Sequence, residues 1–135
     1  MKEIYVLKNY KYSKLLLYSS HLFLINSYLA YNYNIIEYCY ISLFIYLNSI
    51  NYWRKPTMSL RRNIDIVTSI ISFMYHKYII LYNSNILSII LLYIGILFYI
   101  LGLIVSKKNI FLSVIFHILL HLFTNLSCLF FYINI

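Results

Sequence analysis

The 135 residues are 63% hydrophobic and 10% charged, with a net charge of +8 and a mean hydropathy of +0.78. These values lie outside the range of water-soluble domains and imply a lipid solvent. The positive balance does not indicate nucleic acid as a partner, because Lys and Arg flank the apolar runs, where orientation and anionic headgroups account for them. Abundant Ile, Asn, Tyr and Lys beside two Gly and one Pro reflect AT-rich coding. Coding bias alone does not clear charge from segments of about twenty residues, the length that crosses about 30 Å at about 1.5 Å per residue.

A basic segment, 1–14, carries Lys2, Lys8, Lys11 and Lys14 and leads into a single transmembrane domain, 15–135. Five candidate spans follow, at about 15–33, 35–53, 64–82, 86–105 and 110–132. The expected fold is all-α, an integral membrane bundle of about five helices, since the long apolar runs show no period-two alternation. The first run is the weakest, interrupted by Ser19, Ser20, His21, Asn26 and Ser27, so a four-span count stays open. It follows a basic lead as a signal peptide does, but Tyr28 stands where cleavage before Tyr31 needs a small residue; an uncleaved anchor is expected. The second span ends at Arg54, Lys55 and Pro56, and Thr57 or Ser59 is suited to cap the next helix. Arg61 and Arg62 stand close to Asp65 and are expected to pair with it at the start of the third span.

Charge orients these runs. Basic residues fall before the first span, at 54–62 and at Lys107 and Lys108. The alternate connectors, Asn32-Tyr33-Asn34 and Tyr82-Asn83-Ser84-Asn85, hold no Lys or Arg. The positive-inside bias then predicts five crossings, with the N-terminus cytoplasmic and the C-terminus opposite. Lys77 is near enough to the outer interface to extend its stem there, and Tyr31, Tyr33, Tyr52 and Tyr82 suit interfacial positions. On the fourth span Ser88, Gly95 and Gly102 recur every seven residues. This stripe of small residues predicts close helix contact, either between spans or with a second copy or other membrane-complex subunits, the bilayer being the remaining partner. Cys39 and Cys128 form neither a disulfide framework nor a spaced metal pair.

Ionisable groups in hydrocarbon need partners, and they are few: His21, Glu37, Asp65, His76, Lys77, His117 and His121. Measured from the basic anchors at about 1.5 Å per residue, Asp65, Ser49, His21 and His117 lie within about 14 Å of the inner face and His121 about 20 Å from it. Glu37 and Cys39 fall near the outer end of the second span. His117 and His121, four residues apart, share a helix face and match the way a helix presents two nitrogens to Zn²⁺. His21 is the candidate third metal ligand by depth, with His76 as its rival. Asp65 and Ser49 are the candidate catalytic residues, as base or water-holding groups. The plain alternative is two neutral histidines hydrogen-bonded across a helix bundle, with no cofactor.

The set Ser49, Asp65, His117 and His121 resembles the pattern of the CREST membrane hydrolases, which include the alkaline ceramidases. The resemblance implies a zinc site that hydrolyses lipid amides. It departs from that family in its five spans rather than seven, and in Trp53, which stands where the family has a histidine four residues after the serine. The string from Asn51 to Pro56, with Arg61-Arg62-Asn63-Ile64-Asp65, is similar to multi-pass membrane proteins of large DNA viruses. That resemblance implies a membrane location, a host membrane for a viral chain. No phosphate loop, nucleophile elbow or repeat is present, and the expected role is structural or interactive within a membrane. A metal-dependent hydrolase and a small channel or proton path lined by the four histidines are the alternatives.

Overall fold

A computed structural model describes residues 7, 9–83 and 85–135. Lys2, Lys8 and Ser84, which entered the charge and connector patterns above, lie outside the described residues. The described chain is all-helical: α1 (Tyr10–Ser19), α2 (His21–Asn32), α3 (Ile36–Trp53), α4 (Leu60–Tyr82), α5 (Ile86–Val105) and α6 (Ile110–Ile133). Helices α4, α5 and α6 are each long and apolar enough to cross a membrane. Helix α3 is long enough but is diluted by Glu37, Asn48, Asn51 and its tyrosines.

The expected first span, 15–33, is two helices rather than one, and it starts earlier. Asn9 caps α1 by accepting from the Lys11 amide at 3.0 Å, which brings Lys11 and Lys14 into the helix. At the junction the Ser20 amide and the hydroxyls of Ser19 and Ser20 all donate to the Leu16 carbonyl, at 3.1, 3.0 and 2.9 Å. Serine hydroxyls that compete for a backbone carbonyl bend helices, which is the physical reason for the break at Ser20.

Polar turns then reverse the chain. The α2–α3 link closes with Ile35 N–H on the Ala30 carbonyl (2.9 Å) and Asn34 N–H on the Tyr31 carbonyl (3.0 Å). That pair of bonds is a Schellman motif, and it requires the left-handed backbone that Asn34 adopts at φ 59°. Asn85 caps α5 and Asn109 caps α6 through their side chains. Ser59 occupies the cap position of α4, but its hydroxyl turns to Thr57 instead of to the helix.

Two apolar clusters hold the ends of the bundle. One gathers Leu16, Tyr52, Trp53 and Val114, from α1, the end of α3 and the start of α6. The other gathers Ala30, Tyr38, Ile80, Leu92, Phe131 and Tyr132, from the end of α2, the start of α3, the end of α4, the start of α5 and the end of α6. The helices therefore run up and down between the clusters, with α1 and α2 in series. The loops that hold Arg54, Lys55, Lys107 and Lys108 fall at the first end, here called the basic end.

The order of neighbours around the bundle is α4, α3, the α1–α2 pair, α6 and α5. The tightest pair is α5 with α6, whereas α4 and α5 barely touch. The stripe of Ser88, Gly95 and Gly102 makes the tight contact: a β-carbon on Gly95 would come to 3.2 Å from Thr124 Cγ2, and one on Gly102 to 3.4 Å from Phe116 Cβ. Helix α6 of the same chain thus covers the stripe that the sequence also offered to a second copy. Ser127 Oγ donates to the Ser88 carbonyl (2.6 Å) and Ser113 Oγ to that of Gly102 (2.9 Å), which fastens both ends of the hairpin. Large apolar side chains cover the outside, for example Ile71 at 63% exposed, as suits a hydrocarbon environment.

Candidate functional site

The gap between α4 and α5 opens into a cavity of about 700 Å³, within the range that holds a small ligand. Apolar groups such as Ile45, Phe73, Ile96 and Leu120 form most of its wall. Ile66, Ile70, Tyr93 and Tyr99 line it while remaining exposed, so its mouth faces sideways between α4 and α5. The α4–α5 connection is short and sits at the end of the bundle away from the basic end.

Of the five candidate catalytic and metal-ligand residues, Ser49, Asp65, His117 and His121 line this one cavity, as does the rival His76. Ser49, near the end of α3, donates its hydroxyl to Asp65 Oδ1 at 2.6 Å, with Asp65 only 8% exposed. This bond replaces the expected pairing of Asp65 with Arg61 or Arg62. Arg61 donates from Nη2 to the Lys55 carbonyl at 3.5 Å, and Arg62 reaches Tyr52. Long cationic side chains at a helix start reach for the interface, which leaves the short carboxylate to a neighbouring helix.

His117 packs edge-on against Trp53 (5.4 Å between ring centres) and against His121 (4.8 Å). Trp53, the residue standing where the resembled family has a histidine, thus lies against the first histidine of the pair. His121 shares a hydrogen bond from Nδ1 with Ser19 Oγ at 2.9 Å and meets Phe23 edge-on at 5.0 Å. His21 does not join them. It is exposed, its Nδ1 lies on the carbonyls of its own helix (Leu17, 3.1 Å; Tyr18, 3.2 Å), and it is absent from the cavity wall. Among the described residues no three His, Cys, Asp or Glu side chains converge as a metal site requires. The two histidines fall one ligand short of a zinc site.

His76, the rival candidate, belongs to a second polar group toward the other end of the cavity. Tyr38 Oη lies 2.8 Å from its Nδ1 and Ser127 Oγ 2.8 Å from its Nε2, with Cys128 Sγ at 3.7 Å. Asn26 of α2 and Asn125 of α6 line the cavity here as well. Asn26 donates to Ser42 Oγ (3.2 Å) and stands beside the Cys128 thiol. In the sequence Asn26 is an interruption of an apolar run and Asn125 is the one asparagine of an otherwise apolar fifth span, with no role indicated for either. The signal that could have found them is the cost of burying an amide in hydrocarbon without a purpose. Cys39 and Cys128 are free and half-buried, and both pack against the cluster around Tyr38. Comparison with models of protein families, with curated proteins and with solved structures finds no match to this chain.

Proposed function

We propose that the chain is an integral membrane protein of five crossings whose α4–α5 gap admits a lipid-sized molecule sideways from the bilayer. The α1–α2 pair forms the first crossing. Its polar side chains Ser13, Ser20, Asn26 and Ser27 are buried while Leu24, Ile25 and Tyr28 face outward, an arrangement suited to lipid. With the basic end cytoplasmic, the N-terminus lies inside and the C-terminus opposite. The observation that carries the binding role is the cavity itself: apolar walls, a lateral mouth and two internal polar groups.

Photoreactive alkyl lipid in bilayer discs, followed by mass spectrometry, tests this. Label concentrated on Ile70 and Tyr93 at the mouth supports it. Label spread equally over Ile71 and Leu97, which are exposed but lie off the cavity, would refute it. Single cysteines placed in the 54–59 and 106–109 loops should be modified from the same side of the membrane, and one at Asn83 from the other.

A second reading, hydrolysis of lipid amides in this cavity, draws on the shared placement of Ser49, Asp65, His117 and His121. It requires about one zinc per chain in purified protein, lost when His117 and His121 are both replaced by Ala. Folded protein that has never met chelator and holds no metal would end that reading and leave the binding role untouched.

A further inference from the structure

Among the described cations of the basic end, Arg62 alone stands on the cavity wall. Arg54, Lys55, Arg61, Lys107 and Lys108 lie at that end but off the wall, whereas Arg62 lines the cavity and is half-buried there. Its guanidinium reaches the hydroxyl of Tyr52, which lines the cavity too and is only 3% exposed. One phenol leaves most of the guanidinium N–H donors, and all of the charge, unanswered. The nearest carboxylate in sequence does not answer it. Asp65, one helical turn further along the wall, takes its bond from Ser49 Oγ at 2.6 Å. Among the described residues no ion pair closes on Arg62.

A cation at the rim of a hydrocarbon cavity is costly without a counter-charge, and the fork of a guanidinium is shaped for carboxylate or phosphate oxygens. The surrounding field has the same sign, since Arg54, Lys55, Arg61, Lys107 and Lys108 outnumber Asp65, the one acid described at that end. Lys77, the other cation on the wall, is less suited to an anion: it lies toward the far end, where Glu37 stands near Tyr75. Beyond Arg62 the wall of Ile45, Phe73, Ile96 and Leu120 takes hydrocarbon, and a volume of about 700 Å³ suits one chain. We infer that the cavity is a site for an anionic single-chain lipid, its carboxylate or phosphate held by Arg62 and its hydrocarbon lying along the apolar wall. This rests on the lateral-cavity reading above and names its ligand class.

The test displaces the photoreactive alkyl lipid from Ile70 and Tyr93 of the full-length protein in discs of uncharged lipid. The competitors share one chain length: hexadecanoate, hexadecyl phosphate and uncharged hexadecan-1-ol, compared by mole fraction in the lipid. Both anions should displace the label at about tenfold lower mole fraction than the alcohol, the scale of a charge-assisted hydrogen bond. Inorganic phosphate in the buffer should displace none; displacement by it alone would overturn the lipid assignment. Arg62→Gln should bring the anions down to the level of the alcohol, which competes unchanged, and Arg62→Lys should keep part of the advantage. Thermal unfolding is run alongside, because Arg62 touches Tyr52 of the cluster at the basic end. Arg61→Gln and Lys108→Gln, off the wall, should retain the full advantage. Equal potency of anions and alcohol on folded wild-type protein would overturn the anion site and leave the cavity reading standing. Displacement by none of the lipids would overturn both. An advantage that survives Arg62→Gln, or that falls as far in Arg61→Gln or Lys77→Gln, would overturn the assignment to Arg62.

Discussion

His76 Nε2 donates to Ser127 Oγ at 2.8 Å, and this bond ties α4 to the α5–α6 hairpin across the open side of the bundle. The direction follows from counting protons. Ser127 has one hydroxyl proton and gives it to the Ser88 carbonyl at 2.6 Å, so it can only accept from the imidazole. Nδ1 is then the acceptor for the Tyr38 hydroxyl at 2.8 Å, and the ring is the neutral Nε2–H tautomer. Nitrogen-15 spectra of labelled protein should show His76 protonated at Nε2 and bare at Nδ1; the reverse pattern would contradict this network. Removing it by His76→Phe should lower stability by about 1–2 kcal/mol and widen the α4–α5 distance measured between spin labels. The coupling between His76 and Ser127 in a double-mutant cycle should be about 0.6 kcal/mol or more.

The two glycines predict an order of tolerance. Gly102→Ala introduces a contact at 3.4 Å and should be nearly silent. Gly95→Ala meets Thr124 Cγ2 at 3.2 Å, on a stiff β-branched side chain, and should cost up to about 1 kcal/mol. Gly95→Leu forces α5 away from α6 and should cost about 2 kcal/mol or more, read from unfolding in mixed micelles. Equal effects for the three would show that the hairpin is not the close contact described.

Asn34 should respond to backbone chemistry rather than to contacts. At φ 59° glycine fits at least as well as asparagine, so Asn34→Gly should leave stability level or slightly raised. Asn34→Val should cost about 1–2 kcal/mol, because a β-branched residue is strained in the left-handed region. Thermal unfolding of the three proteins side by side decides it.

For the Ser49–Asp65 pair, Ser49→Ala should destabilise by about 1–3 kcal/mol by leaving a buried carboxylate without its donor. The double change Ser49→Ala with Asp65→Leu should recover part of that loss, since both polar groups then leave together. If the double variant is no better than Ser49→Ala, the two residues do not act as a pair.

The helices after Ile36 were legible as sequence because their spans are bounded by charge, proline or asparagine: α5 ends where Lys107 follows, and Asn85 and Asn109 sit at the starts they cap. The α1–α2 pair, the proposed first crossing, was harder to read. Ser19, Ser20, Asn26 and Ser27 lower its hydropathy, yet each makes a bond inside the protein, to Leu16, His121, Ser42 or Cys39. A hydropathy profile counts such residues against a crossing regardless of which face they occupy. Within the site, depth along the helices brought Ser49, Asp65, His117 and His121 to one cavity, but depth carries no azimuth, and His21, at a suitable level, points outward. The partner of Asp65 was missed for a related reason: nearness in sequence favoured Arg61 and Arg62, whereas the bond runs to Ser49 on the preceding helix.

The sparse contact between α4 and α5 also decides how occupancy of the cavity is to be expressed. On the proposed lateral entry, a molecule that passes that gap would never leave the membrane phase, so its availability would follow its share of the surrounding lipid and not its concentration in water. Dilution of the sample with buffer would leave occupancy unchanged; dilution with bare lipid would lower it.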